Sequence, residues 1–185
     1  MRRTSRMLAT LTGLGLVVVL AGCTSPDTSP VPTTAEPPYV CDGVPLEGAE
    51  LTLAGEASVD TQSGSWSSDG PNRPNFLCIL SGSGDRSLQI DVVESGRIAP
   101  TDEKALEVIE KTNDAEPIEA DGPGAGYVTK PGAGTVAQWV CDGRYIKVSF
   151  DGDAVKGRDG NQDVENLLVS MLPWACGGDE VPVAS

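Results

Sequence analysis

Histidine is absent from all 185 residues of this chain. No Ser-His-Asp triad, Cys-His dyad or histidine-ligated zinc site can be built without it. Aromatic residues make up only 4%, and 13 Lys+Arg face 27 Asp+Glu, for a net charge of −14. A chain this acidic repels the phosphates of nucleic acid, so no nucleic-acid partner is expected. No Cys-x-x-Cys pair occurs, which removes the usual layouts for a thiolate metal site or a dithiol redox catalyst. A Gly-x-Ser-x-Gly elbow and a Ser-x-x-Lys pair are missing too. Acid–base chemistry through a carboxylate pair stays open, but nothing singles out two of the 27 acids.

What is present begins at the amino end. Arg2, Arg3 and Arg6 form a basic region, and Leu8 to Leu20 an apolar one with Leu14, Leu16, Val17, Val18, Val19 and Leu20 at its heart. This is the layout of an export signal. The apolar stretch is shorter than the roughly 20 residues that span a bilayer. It closes on Leu20-Ala21-Gly22-Cys23, which resembles the lipobox of bacterial lipoproteins. The resemblance implies cleavage before Cys23, a diacylglyceryl group on its sulfur, and palmitate-type chains as the membrane anchor. Two or three chains hold stably where one holds only marginally. The expected address is the extracytoplasmic face of the cell membrane. Residues 1–22 carry three of the 13 basic residues and none of the acidic ones, so residues 23–185 hold 10 against 27, a side-chain charge of −17.

Residues 24–40 contain five prolines and six Ser/Thr residues. Little there can be buried, so residues 23–40 read as a lipidated cysteine on a disordered, extended tether. At about 3.1 Å per residue such a tether reaches roughly 50 Å. Apolar runs and turn signals then mark residues 41–178 as one globular domain, a length that supports a single core. Residues 179–185 read as a frayed tail.

Four cysteines remain in the domain: Cys41, Cys78, Cys141 and Cys176. An even number in an exported domain predicts two disulfides, with three possible connectivities. Val-Cys-Asp-Gly occurs at 40–43 and again at 140–143, and the spacings 41–78 and 141–176 are nearly equal. We therefore expect Cys41–Cys78 and Cys141–Cys176.

The pattern predicts a helix over 44–54, ended by Gly55. Strands are expected at 75–81 and 87–94 around Gly82-Ser-Gly-Asp85, and loop at 63–69 and 71–74. A second helix, 102–109, has acidic residues in its first turn, where the dipole favours them. Short strands come next at 117–120 and 127–129. Strands 135–141 and 144–150 meet at Asp142-Gly143, a strong hairpin signal. A last helix over 163–172 is expected to stop at Pro173. The fold class is α+β, a mainly antiparallel sheet with two or three helices and two disulfides.

Candidate sites are few. Gly122-Pro-Gly-Ala-Gly126 lacks the third glycine of a dinucleotide fingerprint, since Tyr127 stands there; no cofactor is expected. Asp159, Asn161 and Asp163 space oxygen ligands as a calcium loop does, but Val164 replaces the required glycine and Ser170 the terminal glutamate. Helix capping by Asp159 or Asn161 is the simpler role, and no metal is expected. Trp139 and Trp174, each two residues from a cysteine, are expected to pack on the cystines. Trp66 stands among Ser63, Gly64, Ser65, Ser67 and Ser68, where an aromatic could stack on a sugar or a partner.

With lipobox, Pro/Thr tether, Cys78 and Cys141 on hairpin strands and Leu172-Pro-Trp-Ala-Cys176 after the last helix, the chain resembles the small exported lipoproteins of actinobacteria. Among these it is similar to those that look like the extracellular sensor domains of mycobacterial receptor kinases. The resemblance implies α+β architecture with two disulfides and carries over no catalytic residue. The expected function is a non-enzymatic binding or accessory module held to the membrane, with a protein or envelope-glycan partner. The alternative is an envelope-acting hydrolase working through acidic residues.

Overall fold

Strict alternation of apolar and polar residues builds the centre of the molecule. In β4 (Asn75–Ser81) and β5 (Ser87–Glu94), Phe76, Cys78, Leu80, Leu88, Ile90 and Val92 are buried and their neighbours are not, as a period of two requires. β8 (Thr135–Cys141) and β9 (Arg144–Asp151) form the second hairpin. Its turn residues Asp142 and Gly143 both have positive φ, 46° and 75°, which a two-residue turn matched to strand twist demands. The computed structural model describes residues 27–66, 74–112, 114–130, 134–176 and 178–185. With β3 (Ser58–Ser63), β6 (Glu116–Pro117) and β7 (Ala125–Thr129), these strands make a seven-stranded antiparallel sheet in the order β3-β4-β5-β9-β8-β7-β6. β1 (Tyr39–Val40) and β2 (Val44–Pro45) form a separate small ribbon.

Helices cover both faces. α1 (Leu46–Leu53) and α3 (Gly160–Ala175) pack on the face that carries Leu88, Ile90, Ile146 and Val148, and form the main core with it. Gly48 sits inside α1 because α3 comes so close: a Cβ there would lie 2.9 Å from a Leu167 methyl. Leu167, Leu168 and Met171 of α3 are fully buried. α2 (Asp102–Glu110) lies on the other face, where Ala105 and Ile109 meet Val140 and Tyr145. Thr101 caps α2 by accepting from the Lys104 amide at 3.3 Å. Asp102 ties the start of α2 to the rest, accepting from the Ser95 hydroxyl and from the Gly143 amide.

Both expected disulfides are present. Cys41–Cys78 joins the β1–β2 turn to β4, and Cys141–Cys176 joins β8 to the residue after α3. The first therefore clamps the small ribbon that leads into α1 to the sheet, and the second clamps the end of α3.

Several expectations change; among the smaller ones, Val44 and Pro45 belong to β2 rather than to the first helix, and β6 ends at Pro117. Residues 27–40 are not a free tether but an arm laid over the α1/α3 layer. Val31 is buried against it, and its carbonyl accepts from the buried Asn166 amide at 2.8 Å. An isolated valine among prolines offers little burial of its own; the complementary surface is supplied by distant residues. The export signal, residues 23–26 of the expected tether, and residues 67–73 of the expected loop lie outside the described residues. Residues 179–185 are not frayed either. Gly43 N donates to Pro182 O, Ala184 N to the Asp42 carboxylate and Ser185 N to Tyr39 O, while Val181 packs on the core. β3 occupies residues expected in no strand or helix; its six side chains are all exposed, so no burial pattern could announce it. α3 starts at Gly160 and runs through Pro173 to Ala175. The ring removes one amide donor near the helix end. Beyond it the Cys176 amide donates to Leu172 O at 2.8 Å, and Arg144 donates to the carbonyls of Trp174 and Ala175. A cation at that end also complements the helix dipole.

Candidate functional site

The predicted site residues are not brought together. Cys23, the expected lipid carrier, lies outside the described residues. Trp66 is no stacking platform: it is 2% exposed, its ring packs on Phe76 at 4.7 Å, and its Nε1 donates to Asp42 O at 2.7 Å. A buried ring with its donor already used has nothing left for a sugar. Trp139 is buried with its Nε1 donating to Pro123 O, and Trp174 meets Tyr39 edge-to-face. All three rings are part of the core, and the Trp174 Nε1 is buried without a hydrogen-bond partner among the described residues.

The oxygen-rich run before α3 also has structural work. Asp159 caps α3, accepting from the amides of Asn161 and Gln162. Asn161 accepts from the Thr135 hydroxyl at 3.1 Å. Asp163 is buried and receives two bonds from the Arg158 guanidinium, at 2.7 and 2.6 Å. The three carboxyl and amide groups therefore turn to different partners, and among the described residues no group of three His, Cys, Asp or Glu could hold a metal.

Arg158 is the residue that sequence reading missed. Its side chain is 2% exposed, and besides Asp163 it donates to the carbonyls of Asp27 and Ser29. A planar guanidinium can hold a carboxylate bidentately and still reach two further acceptors. It pins the start of the arm onto the base of α3. No local sequence signal marks this, since the contacting residues stand about 130 positions apart.

Among the described residues, the surfaces that could receive a ligand include two concavities and an open sheet face. A groove of about 470 Å3 runs between Thr33 and Thr34 of the arm, the 119–123 loop, and Val169, Leu172 and Pro173 of α3. A wider concavity of about 680 Å3 lies beside Asp27, Leu51 and Ala54 and is rimmed by Glu47, Glu50 and Glu56. The third is the part of the outer sheet face that α2 leaves uncovered. There Leu77 and Ile79 are half-buried beside a polar ladder: Asp91 accepts from Gln89 at 2.8 Å and pairs with Lys147 at 3.2 Å. Gln138 accepts from the Tyr145 hydroxyl at 2.7 Å. Burial pushes that phenol up to about 12, with the Asp91 charge adding to the effect. Tyr145 thus remains a neutral donor at any physiological pH.

One carboxyl is held above the ordinary range. Partial burial raises Glu165, and the nearby charges of Glu116, Asp159 and Glu119 raise it further. A group whose folded-state pKa is raised binds its proton more readily in the native than in the unfolded chain. The charged form therefore destabilises the fold above the folded pKa, and the penalty fades as pH falls through it towards the unfolded value. We expect Glu165→Gln to raise the melting midpoint at pH 7 and to lose that advantage near pH 4. Melts at the two pH values check this.

No family model, curated protein or solved structure matches the chain. Function must therefore be read from geometry. Among the described residues this consists of concave and open surfaces and one acidic neighbourhood around Glu165.

Proposed function

We propose that this protein is an exported lipoprotein, anchored through Cys23 on the extracytoplasmic face of the cell membrane, where it acts as a non-enzymatic binding or accessory module. One observation carries the reading. The two disulfides consume four of the five cysteines. The fifth is Cys23, the residue at the lipobox position behind a basic and an apolar region. Disulfides themselves belong to oxidising compartments. Among the described residues no helix is long and apolar enough to cross a membrane, and lipid on Cys23 would supply the attachment.

A rigid, doubly clamped domain with a half-open sheet face suits a protein or envelope-glycan partner. The hydrolase alternative would centre on Glu165, the carboxyl whose raised pKa fits a general acid. Its neighbours are other carboxylates, as in glycoside hydrolysis, where a second acid is needed.

The test is Cys23→Ser in the native host. The parent should incorporate alkyne-palmitate and sediment with the envelope; the variant should do neither. Label-free parent protein in the soluble fraction would end the reading. Crosslinked pull-down of the anchored form then identifies the partner, and turnover of envelope polymer abolished by Glu165→Gln would favour the hydrolase instead.

A further inference from the structure

We infer that the α1/α3 layer of this domain faces the lipid surface, leaving α2 and the open sheet face pointing outward. The inference rests on the lipidation of Cys23 and adds to it an orientation.

Chain length sets the constraint. A free tether over residues 23–40 would reach roughly 50 Å and let the domain tumble. The structure removes most of it. The arm is fixed from Asp27 onward: Arg158 holds Asp27 and Ser29, and Val31 and its carbonyl are buried on the helix layer. Four virtual bonds separate Cys23 from Asp27, which even fully extended span about 14 Å. A domain of three layers, α1/α3 on sheet on α2, is about 20 Å between its outer helix axes at the usual ~10 Å spacing. The leash is thus shorter than the domain is thick. The surface from which it emerges must stay nearest the membrane.

That surface is defined by neighbours of Asp27. The arm crosses the α1/α3 layer, and Asp27 shares a concavity with Glu47, Glu50, Leu51 and Ala54. Its carboxylates oppose adhesion to anionic lipid, so the domain stands off by up to the length of the link rather than embedding. On the far side are α2 and the row Leu77, Asp91, Lys147 and Gln138, aligned across β4, β5, β9 and β8. A partner arriving from outside meets this face first.

The full-length lipidated protein is reconstituted in phosphatidylcholine vesicles that contain lipids with a nitroxide on the head group. Two single-site variants carry a fluorophore: Glu47→Cys on α1 and Glu103→Cys on α2, both exposed positions. The probe at 47 should be quenched several-fold more than the probe at 103. A flexible Gly/Ser spacer of about 20 residues between Ser25 and Pro26, whose mean span of about 25 Å exceeds the thickness of the domain, should equalise them. Equal quenching without the spacer, or stronger quenching at 103, overturns the orientation while palmitate on Cys23 keeps the anchor intact. Absence of palmitate defeats the anchor itself. A second measurement needs no substitution: carbodiimide coupling of an amine to native carboxylates should be slowed on vesicles at Glu47 and Glu50 and unchanged at Glu103 and Glu110. Uniform coupling overturns the proposal as well.

Discussion

Replacing Cys141 and Cys176 together by serine is expected to destabilise the domain by about 4 kcal/mol, since the bridge closes a loop of 35 residues. In a domain of this size that corresponds to a melting midpoint lower by roughly 10–15 °C. The location of the bridge supports the full effect. It holds the last turn of α3 beyond Pro173, where the backbone ladder has lost a donor. Without it, Trp174 and Ala175 would depend on Arg144 to keep their carbonyls bound. Denaturant titration checks the prediction: the midpoint should fall, and the slope should rise somewhat because the unfolded chain loses a cross-link. A loss under about 1 kcal/mol would mean that residual structure already closes the loop in the unfolded ensemble.

Asp163→Asn should cost a comparable 3–5 kcal/mol, at about the level expected when one partner of a buried ion pair is removed. Arg158 would stay 2% exposed with its charge uncompensated, or it would swing outward and release the arm. Either route weakens its bonds to Asp27 and Ser29. We therefore expect a second signature, new proteolytic cleavage within residues 27–31. Exchanging both partners for apolar residues should recover part of the stability but not the protection, because the arm carbonyls would still lack their donor. A double-mutant cycle between positions 158 and 163 separates the pair from the rest. Coupling near zero would reassign the arm to Val31 and Asn166.

Legibility followed burial. β4, β5, β8 and β9 could be read because one face of each is core and the other is not, and because Asp142-Gly143 dictates its own turn. The cystine pairing was readable from spacing and a repeated tetrapeptide. α2 announced itself through its acidic first turn. Where stabilisation comes from distant partners, local pattern fell silent. The arm is proline-rich by composition, yet Arg158 and Asn166 fix it. β3 is held by backbone bonds to β4 with no buried side chain. Trp66 sits in a polar run, so its burial against Phe76 was invisible. Pro173 is a valid stop signal in isolation; Arg144 and the bridge at Cys176 override it. The oxygen-rich run at 159–163 was legible as oxygen-rich, but its partners, Thr135 and Arg158, decide what those oxygens do.

The ends of the sheet bear on life at a surface. β3 breaks its register between Val59 and Thr61 and places Asp60 at the irregularity, and β6 is two residues long with Pro117 in it. A bulge with a carboxylate on one rim and a missing amide on the other both discourage strand addition. On a membrane, as proposed above, confinement to two dimensions would multiply encounters between neighbouring copies, and rims guarded in this way would oppose their joining edge to edge into a continuous sheet.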